Sequence, residues 1–195
     1  MKAMSMSPIW FRARRSALDM LRDRSGIAAT EFAVIVPIML VMFFGTVEFS
    51  SGIAVDRKVT LVARTLSDLT SQSTSVADSD MTNFFAASYA ILTPYSSTPT
   101  QGTISELYVN PGTLKATVQW SKGSVPRTVT STVPIPAALA VAGTYLIFSE
   151  VSYVYVPAVG YVMAKGGVTL SDTAYTRPRQ STCVYYSPAT ACTTL

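Results

Sequence analysis

The sequence predicts an α+β protein: a long N-terminal transmembrane helix whose outer half packs on a small antiparallel-sheet domain. Three observations lead to this prediction. Residues 27–47 form an apolar run with a single charged residue, apolar positions then recur at helical spacing to residue 69, and later segments alternate between apolar and polar residues. An apolar run of this length spans about 30 Å as a helix, which is the thickness of the hydrocarbon core of a bilayer.

Charge is concentrated before the apolar run. Residues 1–26 hold six basic and two acidic residues, whereas residues 27–195 hold nine of each. Because positively charged flanks stay in the cytoplasm, this asymmetry predicts a cytoplasmic N-terminus and an extracytoplasmic remainder. We therefore divide the chain into a basic cytoplasmic leader (1–26), a transmembrane and amphipathic helix (27–70) and a periplasmic α+β domain (71–195). The alternative is a secretory signal peptide that is cleaved at Ser50-Ser51-Gly52.

An apolar stripe continues along the helix beyond the membrane span. Its members are spaced alternately four and three residues apart, which places them on one helix face. They are Val55, Val59, Val62, Leu66 and Leu69. We expect the stripe to pack on the helix's own domain, and the alternative is a seam for neighbouring subunits.

The rest of the chain predicts a short helix and an antiparallel sheet. The helix is expected near Met81–Leu92, with Asp78 or Ser79 as its cap. Residues 104–109 and 114–121 form a hairpin around a type II turn at Asn110-Pro111-Gly112-Thr113. Further strands are expected at 145–156 and 168–175, separated by a break from Gly160 to Gly167. In the hairpin's return strand four residues are expected to point inward: Leu114, Ala116, Val118 and Trp120.

The composition excludes several kinds of chemistry. With no histidine among 195 residues, the chain has no Ser–His–Asp or Cys–His catalysis and no histidine-ligated metal. No glycine-rich phosphate loop or cluster of metal ligands is visible. Glu150 is expected at an edge or outward-facing strand position rather than in a catalytic site. We predict a protein that is not an enzyme and that needs no cofactor or metal, and no basic face outside the leader indicates a nucleic-acid partner.

Two cysteines lie close to the C-terminus. Cys183 and Cys192 are nine residues apart. In an extracytoplasmic domain, the natural interpretation is one disulfide that closes a short loop.

Glu31 is the one charged residue in the apolar run. A carboxylate at the centre of a bilayer costs about 2.5–3.5 kcal/mol by insertion scales, so such residues mark function by default. The alternative is a carboxylate near the interface that reaches back to cytoplasmic water.

Three segments of the sequence resemble a known family. The N-terminal segment Arg24-Ser25-Gly26-Ile27-Ala28-Ala29-Thr30-Glu31-Phe32-Ala33-Val34-Ile35-Val36-Pro37 is similar to the signature of TadE-like pseudopilins, the minor pilin-like proteins of the tight-adherence (Tad) apparatus that builds Flp pili. Ser149–Pro157 resembles the family's late strand, and Ala174–Arg179 resembles its closing Arg-Pro-Arg motif. The resemblance implies a type IV pilin-like architecture.

The resemblance also implies a processing site. In the family, a membrane-embedded prepilin peptidase cuts after a glycine, and a glutamate stands at the fifth position of the mature chain. Gly26 and Glu31 match these positions, Ile27 becomes the first mature residue, and Phe32 matches the aromatic residue that follows. A neighbouring subunit's Glu31 is then able to pair with the new ammonium group on Ile27.

The resemblance therefore predicts a minor pseudopilin. It would act in assembling, priming or anchoring Flp pili, and so support surface adherence and biofilm growth. Its expected partners are the prepilin peptidase, other Tad pilins and pseudopilins, and the assembly platform in the inner membrane. The alternative function is an uncleaved, single-pass membrane anchor that carries an extracytoplasmic binding or sensory domain.

Overall fold

The structure is a computed structural model that describes residues 25–157, 160 and 166–194. The predicted basic leader lies outside the described residues except for its last two, and so does most of the predicted break between Gly160 and Gly167. The chain divides into two compact units after Val47, and helix α1, Ser25–Ser71, contributes residues to both.

The first unit contains the candidate membrane span. Helix α1 is long and apolar enough from Gly26 onward to cross a bilayer, and its large apolar side chains up to Val47 are exposed. Exposed apolar side chains are costly in water and favourable in lipid, so this surface suits a membrane. Pro37 lies inside the helix, where it removes one backbone hydrogen bond.

The second unit is an α+β domain. After α1 come helix α2, Asp78–Tyr89, and a single 3₁₀ turn at Ala90–Leu92. A five-stranded antiparallel sheet has the spatial order β4-β3-β2-β5-β6, and a two-stranded parallel sheet pairs β1 with β7. The strands are β1 Ser75–Val76, β2 Thr100–Val109, β3 Ala116–Gly123, β4 Thr132–Val133, β5 Tyr145–Tyr155, β6 Val168–Thr176 and β7 Tyr185–Tyr186.

The apolar stripe of α1 is buried in the helix's own domain. Val55, Val59, Val62 and Leu66 are fully buried. They pack in one cluster with residues of β2, β3, β5 and the C-terminal segment: Ile104, Trp120, Ile147, Val151, Tyr153 and Val184. The prediction that the outer half of the helix packs on an antiparallel-sheet domain is confirmed. The alternative of a seam between subunits is wrong for this face, because the domain's own side chains occupy it.

A β-bulge in β3 overturns the predicted side-chain pattern of the return strand. Glu106 lies opposite Trp120, whereas Leu107 lies opposite Val118, so Gln119 is an extra residue. One extra residue reverses the alternation of a strand between its two faces. Trp120 therefore joins the core beneath α1, while Val118 joins a second apolar cluster with Leu107.

The predicted type II turn is also wrong. The hairpin loop is longer: the Asn110 N–H donates to the Lys115 carbonyl at 3.0 Å, and the Leu114 N–H donates to the Asn110 carbonyl at 2.9 Å. The Asn110 side chain accepts the Gly112 N–H at 2.8 Å, which is an Asx-type turn. The positive φ of 54° falls on Leu114, which is 49% exposed rather than inward-facing.

The cap of α2 differs from the prediction. Ala77, rather than Asp78 or Ser79, occupies the cap position. The Asp80 carboxylate reaches back and accepts the Ala77 N–H at 2.9 Å, which satisfies one of the donors that a helix start leaves unpaired. Asp78 is thereby free to meet Lys122, whose ammonium lies 3.4 Å from its carboxylate.

Candidate functional site

The predicted processing and assembly residues lie in the first two turns of α1. Ile27 is 55% exposed, Phe32 is 69% exposed, and Glu31 is also exposed. The Thr30 hydroxyl donates to the Ile27 carbonyl at 2.8 Å, as expected within a helix. Ile27 and Glu31 are four residues apart and so share one helix face.

The fold itself does not require a glycine at position 26. A Cβ atom added to Gly26 would meet no atom within 4 Å, and Gly26 is absent from the glycines that have a positive φ. Any residue fits this position without strain in the described part of the chain. The presence of glycine here is therefore better explained by a requirement outside the fold, such as recognition by another protein.

Glu31 forms no ion pair with any residue that the structure describes. Its neighbours along the helix, from Gly26 to Ile35, carry no other charge. A carboxylate in such a setting either stays hydrated near the membrane surface or binds a cation from another chain.

At the other end of the chain, Cys183 and Cys192 are joined in a disulfide, as their spacing predicts. Cys183 is fully buried, and its neighbour Val184 is also buried in the core beneath α1. The disulfide therefore anchors a C-terminal loop whose first residues belong to the core.

We expect no free thiol in the native protein when it is alkylated before reduction, because both cysteines are paired. Replacing both cysteines with serine should lower the free energy of unfolding by about 2–3 kcal/mol, the loop-closure contribution of a short loop. Mass spectrometry and thermal unfolding measure these two outcomes. Ready alkylation of both thiols in the native protein would contradict the pairing.

Arg127 and Glu150 form a bidentate ion pair that the sequence pattern did not reveal. Nε and Nη2 of Arg127 each lie 2.6 Å from a carboxylate oxygen of Glu150. The guanidinium also lies over the Phe148 ring at 5.5 Å, and the hydrogen bond to Glu150 raises the pKa of Arg127 above its usual value. Glu150 lies on β5, an interior strand, so an edge position is wrong, but its side chain is about 30% exposed and fits the expected outward-facing alternative. Both residues line a shallow depression of about 470 Å³.

Arg179 ties the chain after β6 to the end of α1. Its guanidinium pairs with Asp68, and its backbone N–H donates to the Ser71 carbonyl at 2.9 Å. Both Arg177 and Arg179 are exposed, and Arg179 links the C-terminal segment to α1.

Glu106 is the functional candidate that sequence reasoning missed. It is 1% exposed in the middle of β2, and burial raises the pKa of its carboxyl to about 8. The signal was present in the sequence, because Glu106 interrupts the strand-like run Ile104–Val109 with an acidic residue. Trp120 lies opposite it in the hairpin, but its hydrogen-bond partner Val184 is 78 residues away, so only the folded structure reveals this contact.

Residues 26–67 match the family described as TadE-like protein, which confirms the resemblance predicted for the N-terminal segment. The segments 149–157 and 174–179 lie outside the match, and their resemblance stays a prediction. The match begins at Gly26, and it covers the candidate span and most of the buried stripe of α1. No curated protein and no solved structure matches the chain.

Proposed function

We propose, from the TadE-like match at residues 26–67, that this chain is a minor pseudopilin of a Tad system. It acts in assembling, priming or anchoring Flp pili and thereby supports adherence to surfaces. One observation carries the proposal: a glycine that the fold does not need precedes a solitary carboxylate by five residues, at the start of an exposed apolar helix. The proposal assigns no catalytic activity to the chain.

Processing is the first step of the proposed function. A prepilin peptidase cuts between Gly26 and Ile27, since glycine offers an unobstructed and easily extended backbone. The cut removes a leader with six basic and two acidic residues and leaves a new ammonium on Ile27. The mature chain then begins with an apolar helix that no longer has arginines holding it at the cytoplasmic surface.

The proposed function also includes a cellular location for the chain. The chain crosses the inner membrane once, with residues 1–26 in the cytoplasm and the domain of residues 71–195 in the periplasm, either anchored there or incorporated into a pilus. The charge asymmetry supports this orientation, and the disulfide suits an oxidising compartment. The proposed partners are other Tad pilins and pseudopilins and the inner-membrane assembly platform.

Sequencing the N-terminus of the protein from its native host tests the proposal. We expect the mature chain to begin at Ile27, and a reporter that is active only in the periplasm should be active when fused after Leu195. A native chain that begins at Met1 would favour the alternative function, an uncleaved membrane anchor for a binding or sensory domain. An inactive fusion that is present at normal abundance would contradict the orientation.

Glu31→Gln should separate membrane insertion from pilus assembly. The substitution keeps the size of the side chain and removes its charge, so insertion becomes easier while pairing with a neighbour's Ile27 ammonium is lost. We expect normal abundance, normal processing and a marked loss of piliation, measured by immunoblotting and by counting pili in electron micrographs.

The matched control for this variant is Asp56→Asn. Asp56 is an exposed carboxylate on the same helix, but it lies outside the apolar run. This variant should assemble normally. Normal piliation with Glu31→Gln would show that Glu31 only contacts water at the membrane surface and has no role in assembly.

A further inference from the structure

The peptide group of Val184 is held from both sides by side chains of the sheet. The Glu106 Oε1 atom accepts the Val184 N–H at 2.6 Å, and the Trp120 indole N–H donates to the Val184 carbonyl at 2.6 Å. Glu106 and Trp120 lie opposite each other in register across β2 and β3, beside the β-bulge. Both hydrogen bonds are buried, so two side chains fix the position of the C-terminal segment on the sheet.

Residues 181–193, which we call the C-terminal clasp, are held at further points. The Ser187 N–H donates to the Val76 carbonyl at 2.9 Å, and the Tyr145 hydroxyl donates to the Thr193 carbonyl at 3.0 Å. Tyr186 donates a hydrogen bond to Asp78. The clasp therefore crosses from the segment that follows α1 to the first residue of β5, and it covers Glu106 from the outside.

The groups that face Glu106 carry little charge. The Val184 N–H from the clasp donates to it, and the indole of Trp120 from β3 lies beside it; both groups are uncharged. The titratable group that faces it among the described residues is Tyr145 from β5, whose pKa is raised first by burial and second by the charge of Glu106. A carboxylate at this position would thus lose water without gaining a cation.

We propose that the C-terminal clasp is a pH-sensitive device in which protonated Glu106 keeps the clasp closed and ionised Glu106 favours its release from the sheet. Release exposes Val184 and the indole of Trp120, both of which belong to the core cluster beneath α1. Acidic surroundings therefore hold the clasp closed, and a rise in pH toward about 8 progressively loosens it.

The sign of the pH dependence follows from the number of protons that the closed and open states bind. The pKa of Glu106 is about 8 when the clasp is closed, and it returns toward the usual 4.5 when water reaches the carboxyl. Between these two values the closed state binds more protons than the open state, so a rise in pH favours opening. The opening equilibrium constant increases by up to about tenfold per pH unit within this window and stays level below it.

Hydrogen exchange of the full-length protein in detergent micelles tests the proposal. After correction for the intrinsic exchange rate, the protection of the amides from Val184 to Ser187 should fall by up to about tenfold per unit between about pH 5.5 and pH 7.5. In Glu106→Gln the protection of these amides should not change with pH. Glu150→Gln removes a different strand carboxylate, one paired with Arg127, and it should keep the native slope.

Two results would overturn the proposal. One is a native slope that persists in Glu106→Gln. The other is equal protection of the clasp and of the central amides of β5 at every pH, because the pH dependence would then belong to unfolding of the whole domain. Trp120→Phe provides a second variant in case Glu106→Gln does not fold. Loss of the indole donor should lower clasp protection by a constant factor without changing its slope.

Discussion

Gly26→Leu is expected to yield a stable, membrane-inserted protein that is about 3 kDa heavier than the mature native form and cannot support piliation. The extra mass is that of 26 residues in a chain of 195 residues and 20.9 kDa. Folding should be unaffected, because a Cβ atom at position 26 meets no atom within 4 Å and the position is exposed. The failure is therefore assigned to the peptidase, which no longer finds an unobstructed backbone at the cut.

Assembly fails in this variant for an electrostatic reason. The uncleaved helix keeps the leader with its six basic residues, and each charge resists transfer across the bilayer by several kcal/mol. Immunoblotting against the native form measures the mass, and electron microscopy measures piliation. Ala33→Leu places the same side chain at another exposed position of the helix, beyond the processing site, and should be processed normally. Normal processing of Gly26→Leu would contradict the assigned cut.

The helix and the long strands could be predicted from the sequence because their patterns are local. The stripe from Val55 to Leu69 repeats at the spacing of a helix face, and four of its five members are fully buried, whereas Leu69 is half-buried. Strands β5 and β6 end within one residue of their predicted bounds, since both are rich in β-branched and aromatic residues flanked by chain breakers. Such signals need no knowledge of which segments meet in space.

The return strand of the hairpin was harder to predict because both faces of the sheet are covered. Val118 and Trp120 are both apolar and both buried, yet they lie in different core clusters on either side of the bulge at Gln119. An alternation of apolar and polar residues identifies an inner face only when the other face meets water. A bulge that moves one apolar residue to a second apolar face leaves no trace in that alternation.

The polar contacts of the candidate sites depend on residues that are far apart in sequence. Arg127 pairs with Glu150 across 23 positions, and Glu106 meets Val184 across 78 positions. Only the strand order brings these groups together, and strand order is not encoded in any local pattern. By contrast, the segment from Gly26 to Phe32 is contiguous, so its residues could be singled out from the sequence.

The second large effect is expected for Val62→Asp, which should strongly destabilise the α+β domain. Val62 is fully buried in the cluster that joins α1 to the sheet. An unpaired carboxylate there costs about 3–5 kcal/mol, which is a large fraction of the roughly 5–15 kcal/mol by which a folded domain is stable. Thermal unfolding followed by circular dichroism, together with limited proteolysis in detergent, measures the loss.

Leu61→Asp is the matched control, because Leu61 is the preceding residue of the same helix and is 49% exposed. The same new charge at this position stays hydrated, so the free energy of unfolding should change by no more than about 0.5 kcal/mol. A large difference in the free energy of unfolding between the two variants would mean that the face of α1 with Val62 packs in its own domain. The neighbouring face with Leu61 is then left for water or another chain. Equal tolerance of both substitutions would mean that the stripe is not part of the domain core and would reopen the alternative of a seam between subunits.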